Sequence, residues 1–188
     1  FAISGIIIGT IGATEQAAHQ IALSCASFTF MVSMGLAQGS SIRVSNAFGL
    51  RNRLKITTIG KSTLITALLY GTLCAVIFIS LRNILPVAFN ENTDVIRMAA
   101  LLLIYAAVFQ ISDATQAIAA GLLRGIKDVK TPTLFIGIAY WVVGIPAGYY
   151  LAFNAGLGAV GIWIGFIVGL SCSSILLCYR FLRMAKKV

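Results

Sequence analysis

Five stretches of this chain are each long and apolar enough to cross a lipid bilayer. A hydrocarbon core about 30 Å thick needs roughly 20 residues of helix at 1.5 Å per residue. By that ruler the full spans fall at about 17–38, 57–81, 95–120, 133–153 and 157–180. Residues 1–12 (FAISGIIIGTIG) are apolar but too short to cross, and read as the tail of a helix entered part-way. In lipid a spanning segment satisfies its own backbone N–H and C=O groups, so uninterrupted apolar runs of this length are helices. The expected fold class is therefore all-α integral membrane, with one partial and five full spans. Turn and charge signals separate the spans: Asn46 with Gly49, Asn83 with Pro86, Gly125 to Pro132, and Asn154-Ala155-Gly156.

Composition agrees. Of 188 residues, 59% are apolar and 10% charged, against roughly 25% charged in a soluble domain. A soluble protein of this size cannot hide so much apolar surface. An ordinary soluble enzyme, a disordered chain and a disulfide-stapled secreted module are excluded. Cys25, Cys74, Cys172 and Cys178 all lie inside apolar runs, with no Cys or His partner at metal-ligand spacing, and read as small packing side chains. The opening residues lack the charged region and cleavage site of a signal peptide, so the chain reads as a piece of something longer.

The net charge is +9, and its distribution explains it. Arg43, Arg51, Arg53, Lys55 and Lys61 flank one connection. Arg124, Lys127 and Lys130 fall in another, and Arg180, Arg183, Lys186 and Lys187 in the tail. These twelve of the fourteen basic residues share one side of the membrane under the span count above. The other side carries Arg82 and Arg97 together with Glu15, Glu91 and Asp94. Such alternation is the positive-inside pattern, and it predicts a multi-pass protein of the plasma or inner membrane with a cytoplasmic C-terminus. No nucleic-acid partner is then needed to account for the charge.

One acid is left inside a span. Asp113 lies in LLLIYAAVFQISDATQAIAAGLLRG, where a charge costs at least ~2.5 kcal/mol on insertion scales. Gln110, Asp113 and Gln116 recur at i, i+3 and i+6, with Ser112 and Thr115 beside them, so one helix face is polar. That face suits an ion or proton site in a water-filled cavity. A helix-packing role, with the carboxyl protonated or hydrogen-bonded to a neighbour, is the plainer alternative. A second stripe (Gln20, Ser24, Ser27, Met31, Met34 and Gln38) follows the 3–4 spacing of one helix face. Its soft methionines suit a cavity for varied organic ligands, and a small-residue helix seam fits the spacing equally. His19 near the end of that span reads as an interfacial or packing residue in preference to a proton carrier.

Gly161, Gly165 and Gly169, then Gly144 with Gly148, and Gly5 with Gly9, form GxxxG patterns expected to let helix backbones approach closely. Pro146 inside 133–153 predicts a kink. Trp141 is expected to pack, and Tyr149 and Tyr150 to sit at an interface. There is no P-loop, HExxH, CxxC or GxSxG, so no enzyme activity and no cofactor are expected.

The segments AAHQIAL (17–23), FMVSMGLAQGSSIRVSNAFG (30–49), FQISDATQAIAAGLLRGIKDVKTP (109–132), AYWVVGIPAGYYLAF (139–153) and GLGAVGIWIGFIVG (156–169) together resemble the multidrug and toxic compound extrusion (MATE) transporters. The resemblance spans essentially the whole chain. It implies the C-terminal six-helix bundle of a twelve-helix, two-lobed secondary transporter, here residues 1–188, with the partial helix as the seventh. It implies a Na⁺- or H⁺-coupled antiporter that exports organic, often cationic amphipathic compounds. Asp113 matches the family's cation-site carboxylate in the tenth helix, and Gln20 a position lining the drug cavity. Ser24, Ser27, Met31, Met34, Gln110 and Gln116 are the further cavity candidates. The family's seventh-helix glutamate would fall before Phe1. Some sodium-coupled members carry Tyr four residues before the aspartate, where this chain has Phe109. Expected partners are small organic substrates, membrane lipids and an N-terminal lobe of the same chain. The rival readings are a flippase for lipid-linked oligosaccharides from the same superfamily, a non-transporting membrane scaffold, and a channel.

Overall fold

The structure, a computed structural model, describes residues 2–186. Phe1 of the first expected span, and Lys187 of the basic tail, lie outside the described residues. Among those described, six helices follow one another: α1 (Ala2–Gly9), α2 (Ala13–Gly49), α3 (Arg53–Leu81), α4 (Thr93–Gly125), α5 (Lys130–Asn154) and α6 (Gly158–Ala185). A short 3-10 turn, Leu85–Ala88, joins α3 to α4. Helices α2 to α6 are each long and apolar enough to span a membrane.

Helix α2 departs most from expectation. It runs straight through Asn46, where a break was expected, and reaches Gly49. Ala37, Ser40, Val44 and Ala47 continue a buried 3–4 stripe beyond the apolar span. Ala37, Val44 and Ala47 pack in the cluster that holds Ile118, Leu122 and Ile126. Tertiary burial keeps the helix going after the hydropathy signal has faded.

Where helices do stop, the cause is local. Asn52 Oδ1 accepts from the Lys55 N–H at 3.0 Å and Asn92 Oδ1 from the Asp94 N–H at 2.9 Å, capping α3 and α4. Helices α2 and α4 end alike at the basic side. Arg51 (φ 49°) and Lys127 (φ 63°) take the left-handed conformation. The Asn52 N–H reaches back to Ala47 O, and the Asp128 N–H to Leu123 O, both at 3.0 Å. These are Schellman ends with a basic residue where glycine is preferred. Lys127→Gly should therefore raise unfolding stability by about 1 kcal/mol, since a Cβ at positive φ costs about that much. Thermal melting of the purified full-length protein checks this, and a lowered midpoint would refute it.

Helix α4 is the axis of the bundle and packs on α2, α3 and α6. Small residues set the closest approaches. A Cβ on Gly121 would stand 2.5 Å from Ala37 O, and one on Gly125 2.8 Å from Ser41 O, so α4 presses against the backbone of α2. Helices α5 and α6 meet the same way. A Cβ on Gly165 would lie 2.5 Å from Gly148 Cα, and one on Gly161 2.5 Å from Ala152 N. The two GxxxG patterns expected to pack do so against each other. Gly5 and Gly9 do not. An added Cβ there would meet only the Gln16 side chain, at 4.0 and 3.7 Å.

Pro146 does not break α5. Two wider π-helical turns, Ala139–Gly144 and Tyr150–Asn154, bracket the α-helical Ile145–Tyr149. The wider turn ahead of the proline makes room for the ring that would clash with the carbonyl four residues back. Trp141, expected to pack, projects from the bundle at 64% exposure. It sits on the open side of α5, where few helices pack. His19 is the reverse case, fully buried and edge-on to Trp163 with ring centroids 5.8 Å apart. At the basic end, an Arg180–Asp128 ion pair ties the α4–α5 connection to α6.

Candidate substrate and ion cavity

Three helix stripes converge on one cavity of about 560 Å³. From α2 come Leu23, Ser27, Phe30 and Met34, at the spacing of one helix face. From α4 come Phe109, Asp113, Gln116, Ala120 and Arg124. The N-terminal part of α5 and the residue before it add Val129, Thr133, Ile136 and Tyr140. The close glycine contact of α4 on α2 holds the first two walls in register. The wall is mostly apolar, with a few polar groups converging on it, which is the usual character of a site for small organic ligands.

Asp113 lines this cavity at 7% exposure. Gln116 lies one turn further along the same face and accepts a hydrogen bond from the Tyr140 hydroxyl at 3.3 Å. The carboxyl, the amide and the phenol thus face one space from two helices. Arg124, eleven residues beyond Asp113 on the same stripe, stands at the basic end of the cavity.

The expected residues divide. Asp113, Ser27, Met34 and Gln116 line this cavity together. Gln20 lines a second cavity near the other end of α2. Ser24 is exposed and donates its hydroxyl to Gln20 O at 2.8 Å. Met31 is 68% exposed and lies outside both cavities. The whole α2 stripe from Gln20 to Gln38 is nevertheless exposed, so it faces out of this bundle instead of forming a seam within it. Gln110 is displaced from its expected role. It is 1% exposed, and its amide donates to Ala26 O at 3.4 Å, joining α4 to α2. At three residues before Asp113, it points sideways into the neighbouring helix. Ser112 likewise leaves the cavity, sharing a 2.8 Å hydrogen bond with Ser171 of α6.

Sequence reasoning missed Tyr140, Arg124 and Phe30. Val129, Thr133, Ile136 and Tyr140 do repeat at helical spacing, but their polarity alternates too weakly to mark a face. Phe109 packs edge-on against Trp163 and Phe166, with centroids 5.6 and 6.3 Å apart.

The MatE family's sequence profile matches residues 1–150. Solved structures share the fold. One described as a eukaryotic MATE transporter, AtDTX14, superposes with a TM-score of 0.85 at 23% identity, covering 93% of this chain and 40% of that one. A MATE structure in the bent conformation gives 0.84 at 17% identity, covering 94% and 39%. An inward-facing multidrug resistance MATE family transporter of the MOP superfamily gives 0.81 at 15%, covering 93% and 44%. This chain therefore spans about two fifths of the transporters it resembles, with the fold of one lobe. A membrane-spanning helical bundle and a family profile over most of its length agree, and the chain belongs to the MatE family of membrane transporters.

Proposed function

We propose that this chain is the C-terminal lobe of a cation-coupled antiporter that exports organic, often cationic amphipathic compounds by alternating access. The observation that carries the reading is Asp113, nearly buried in the wall of a cavity of about 560 Å³ that is otherwise largely apolar. A buried carboxylate costs several kcal/mol unless an ion, a proton or a cationic ligand compensates it. Its charge state then biases the conformations of the protein, because only a ligand with unequal affinity for two states can shift them. The exposed α2 stripe supports a second lobe facing this one across the substrate.

The basic residues lie at the end that the positive-inside rule assigns to the cytoplasm, which supports a cytoplasmic C-terminus. The coupling ion is Na⁺ or H⁺. Phe109 brings no oxygen to the site, so a sodium ion would draw its ligands from Asp113, Gln116 and Tyr140. A lipid-linked oligosaccharide flippase would need several cations to grip phosphates, whereas among the described residues Arg124 is the one basic side chain on this cavity's wall. A scaffold would need no intramembrane acid.

Counterflow in proteoliposomes tests the reading. The full-length protein, given an imposed pH or Na⁺ gradient separately, is expected to accumulate an organic cation such as ethidium against its gradient with one ion and not the other. Equilibration without accumulation under both gradients would refute coupled antiport.

A further inference from the structure

Helix α5 is clamped along only half its length. From Ala139 onward it is pressed onto the backbone of α6. A Cβ on Gly169 would meet Ala139 O at 3.1 Å, and one on Gly161 would meet Ala152 N at 2.5 Å. The half before this seam, Lys130–Ile138, is held loosely. Of its nine residues only Pro132 is buried. Its backbone lies against α6 and, isolated contacts apart, stands off α2 and α4. The space left behind it is the Asp113 cavity, whose third wall it forms through Pro132, Thr133 and Ile136. Its outer side carries Leu134 and Ile138, 59% and 47% exposed. A Cβ on Gly137 would meet nothing within 4 Å.

The two halves join at the π-helical turn Ala139–Gly144. Such turns are rare and recur at functional sites. Two residues beyond it, Pro146 has no N–H to give the Val142 carbonyl, so the helix is weakened on both sides of the junction. The other end of the loose half is the α4–α5 connection. There Arg180 Nε donates to Asp128 Oδ2, and neither residue lines the cavity. Between these ends Phe135 and Ile136, partly buried, pack on the cluster that holds Leu177 and Phe181. Lipid tails are as apolar as such side chains, so exchanging these contacts for lipid costs little. What specifically holds the segment in place is polar: the Arg180–Asp128 pair at one end and the 3.3 Å Tyr140–Gln116 hydrogen bond at the other.

We infer that Lys130–Ile138 is a gate over the Asp113 cavity, pivoting at the π-turn Ala139–Gly144 and latched at its other end by the Arg180–Asp128 ion pair. Swung outward, it widens the cavity at the basic end, beside Arg124 and Thr133, where an amphipathic ligand can enter. A ligand that takes Gln116 Oε1 competes with the Tyr140 hydroxyl and so loosens the turn, which ties occupancy of the cavity to the position of the gate. The gate rests on the proposed role of this cavity as the ligand site.

Distances between spin labels test it in the full-length protein, reconstituted in nanodiscs after its native cysteines are replaced by alanine. One pair, at Leu134 and Ile175, joins the gate to α6. A control pair, at Tyr149 and Ile175, joins the clamped half of α5 to the same site. Arg180→Gln should raise the population of the longer gate distance about two- to fivefold, the size of effect expected of a partly exposed ion pair. The control distance should stay narrow and unchanged, which also reports that the variant folds. The exchanged pair, Asp128→Arg with Arg180→Asp, should restore the wild-type distribution. Raising KCl to 1 M should shift the wild-type gate distance the same way, because salt screens the pair, so the test survives a variant that fails to fold. A gate distance that neither Arg180→Gln nor KCl changes would overturn the proposal, as would an equal shift in the control pair. Ethidium accumulation in proteoliposomes reads antiport separately. A gate that moves in a protein that accumulates nothing removes the antiport reading and leaves the gate, whereas accumulation with a fixed gate removes the gate alone.

Discussion

Asp113→Asn in the full-length protein is expected to abolish gradient-driven accumulation while leaving expression and folding intact. The substitution keeps the shape of the side chain and most of its hydrogen-bonding capacity, so the cavity wall of α2, α4 and α5 should stand. What disappears is the charge. Coupling needs a site whose affinity differs between conformations, and driving an equilibrium from 1:99 to 99:1 takes about 5.5 kcal/mol of such difference. An amide offers neither a proton nor a cation that difference. One-to-one exchange would sustain about tenfold accumulation per pH unit, at 1.4 kcal/mol per tenfold. In the variant the ratio should fall to about one. Export assays with imposed gradients measure it, and retained accumulation would remove Asp113 from the mechanism.

The second large effect is structural. Gly165→Leu should leave no folded lobe, and Gly165→Ala should cost about 1–3 kcal/mol or more, the range for overpacking. The Cβ alone would lie 2.5 Å from Gly148 Cα and 2.6 Å from Gly144 O. Both are backbone atoms of α5 and cannot rotate aside. Gly137→Ala makes the contrast, with nothing within 4 Å of its added Cβ. It should be neutral or stabilising by up to about 1 kcal/mol, the helix-propensity difference between the two residues. Detergent-solubilised thermal melts of the pair decide the matter. Equal midpoints would show that the α5–α6 contact is not close.

The two predictions differ in how far sequence alone supports them. A carboxylate in a 20-residue apolar run stands out because charge in hydrocarbon is costly, so Asp113 was legible from one residue and its surroundings. The α5–α6 glycine seam was legible as a pattern, but not its partners. Gly5 and Gly9 have the same spacing and yet border a cavity and one α2 side chain, Gln16, instead of a helix backbone. Spacing says that a helix face is small. It does not say what lies against it.

The same limit applies around the cavity. The α2 stripe was readable as a polar face, and it is exposed throughout. Whether Gln110 or Tyr140 faced the cavity depended on how α2 and α5 lean on α4. Gln110 turned into the Ala26 carbonyl, and Tyr140 arrived from 24 residues beyond Gln116.

By itself the sequence determined the number of spans, because bilayer thickness converts directly into residues of helix. It also determined that one acid stands inside them, because each residue's polarity is a local property. The tertiary structure decided which polar groups share a space, that α2 continues through Asn46, and that His19 is buried with no hydrogen-bond partner among the described residues. Those depend on helix rotation and approach, which small residues permit at many angles, and only the packed bundle selects one.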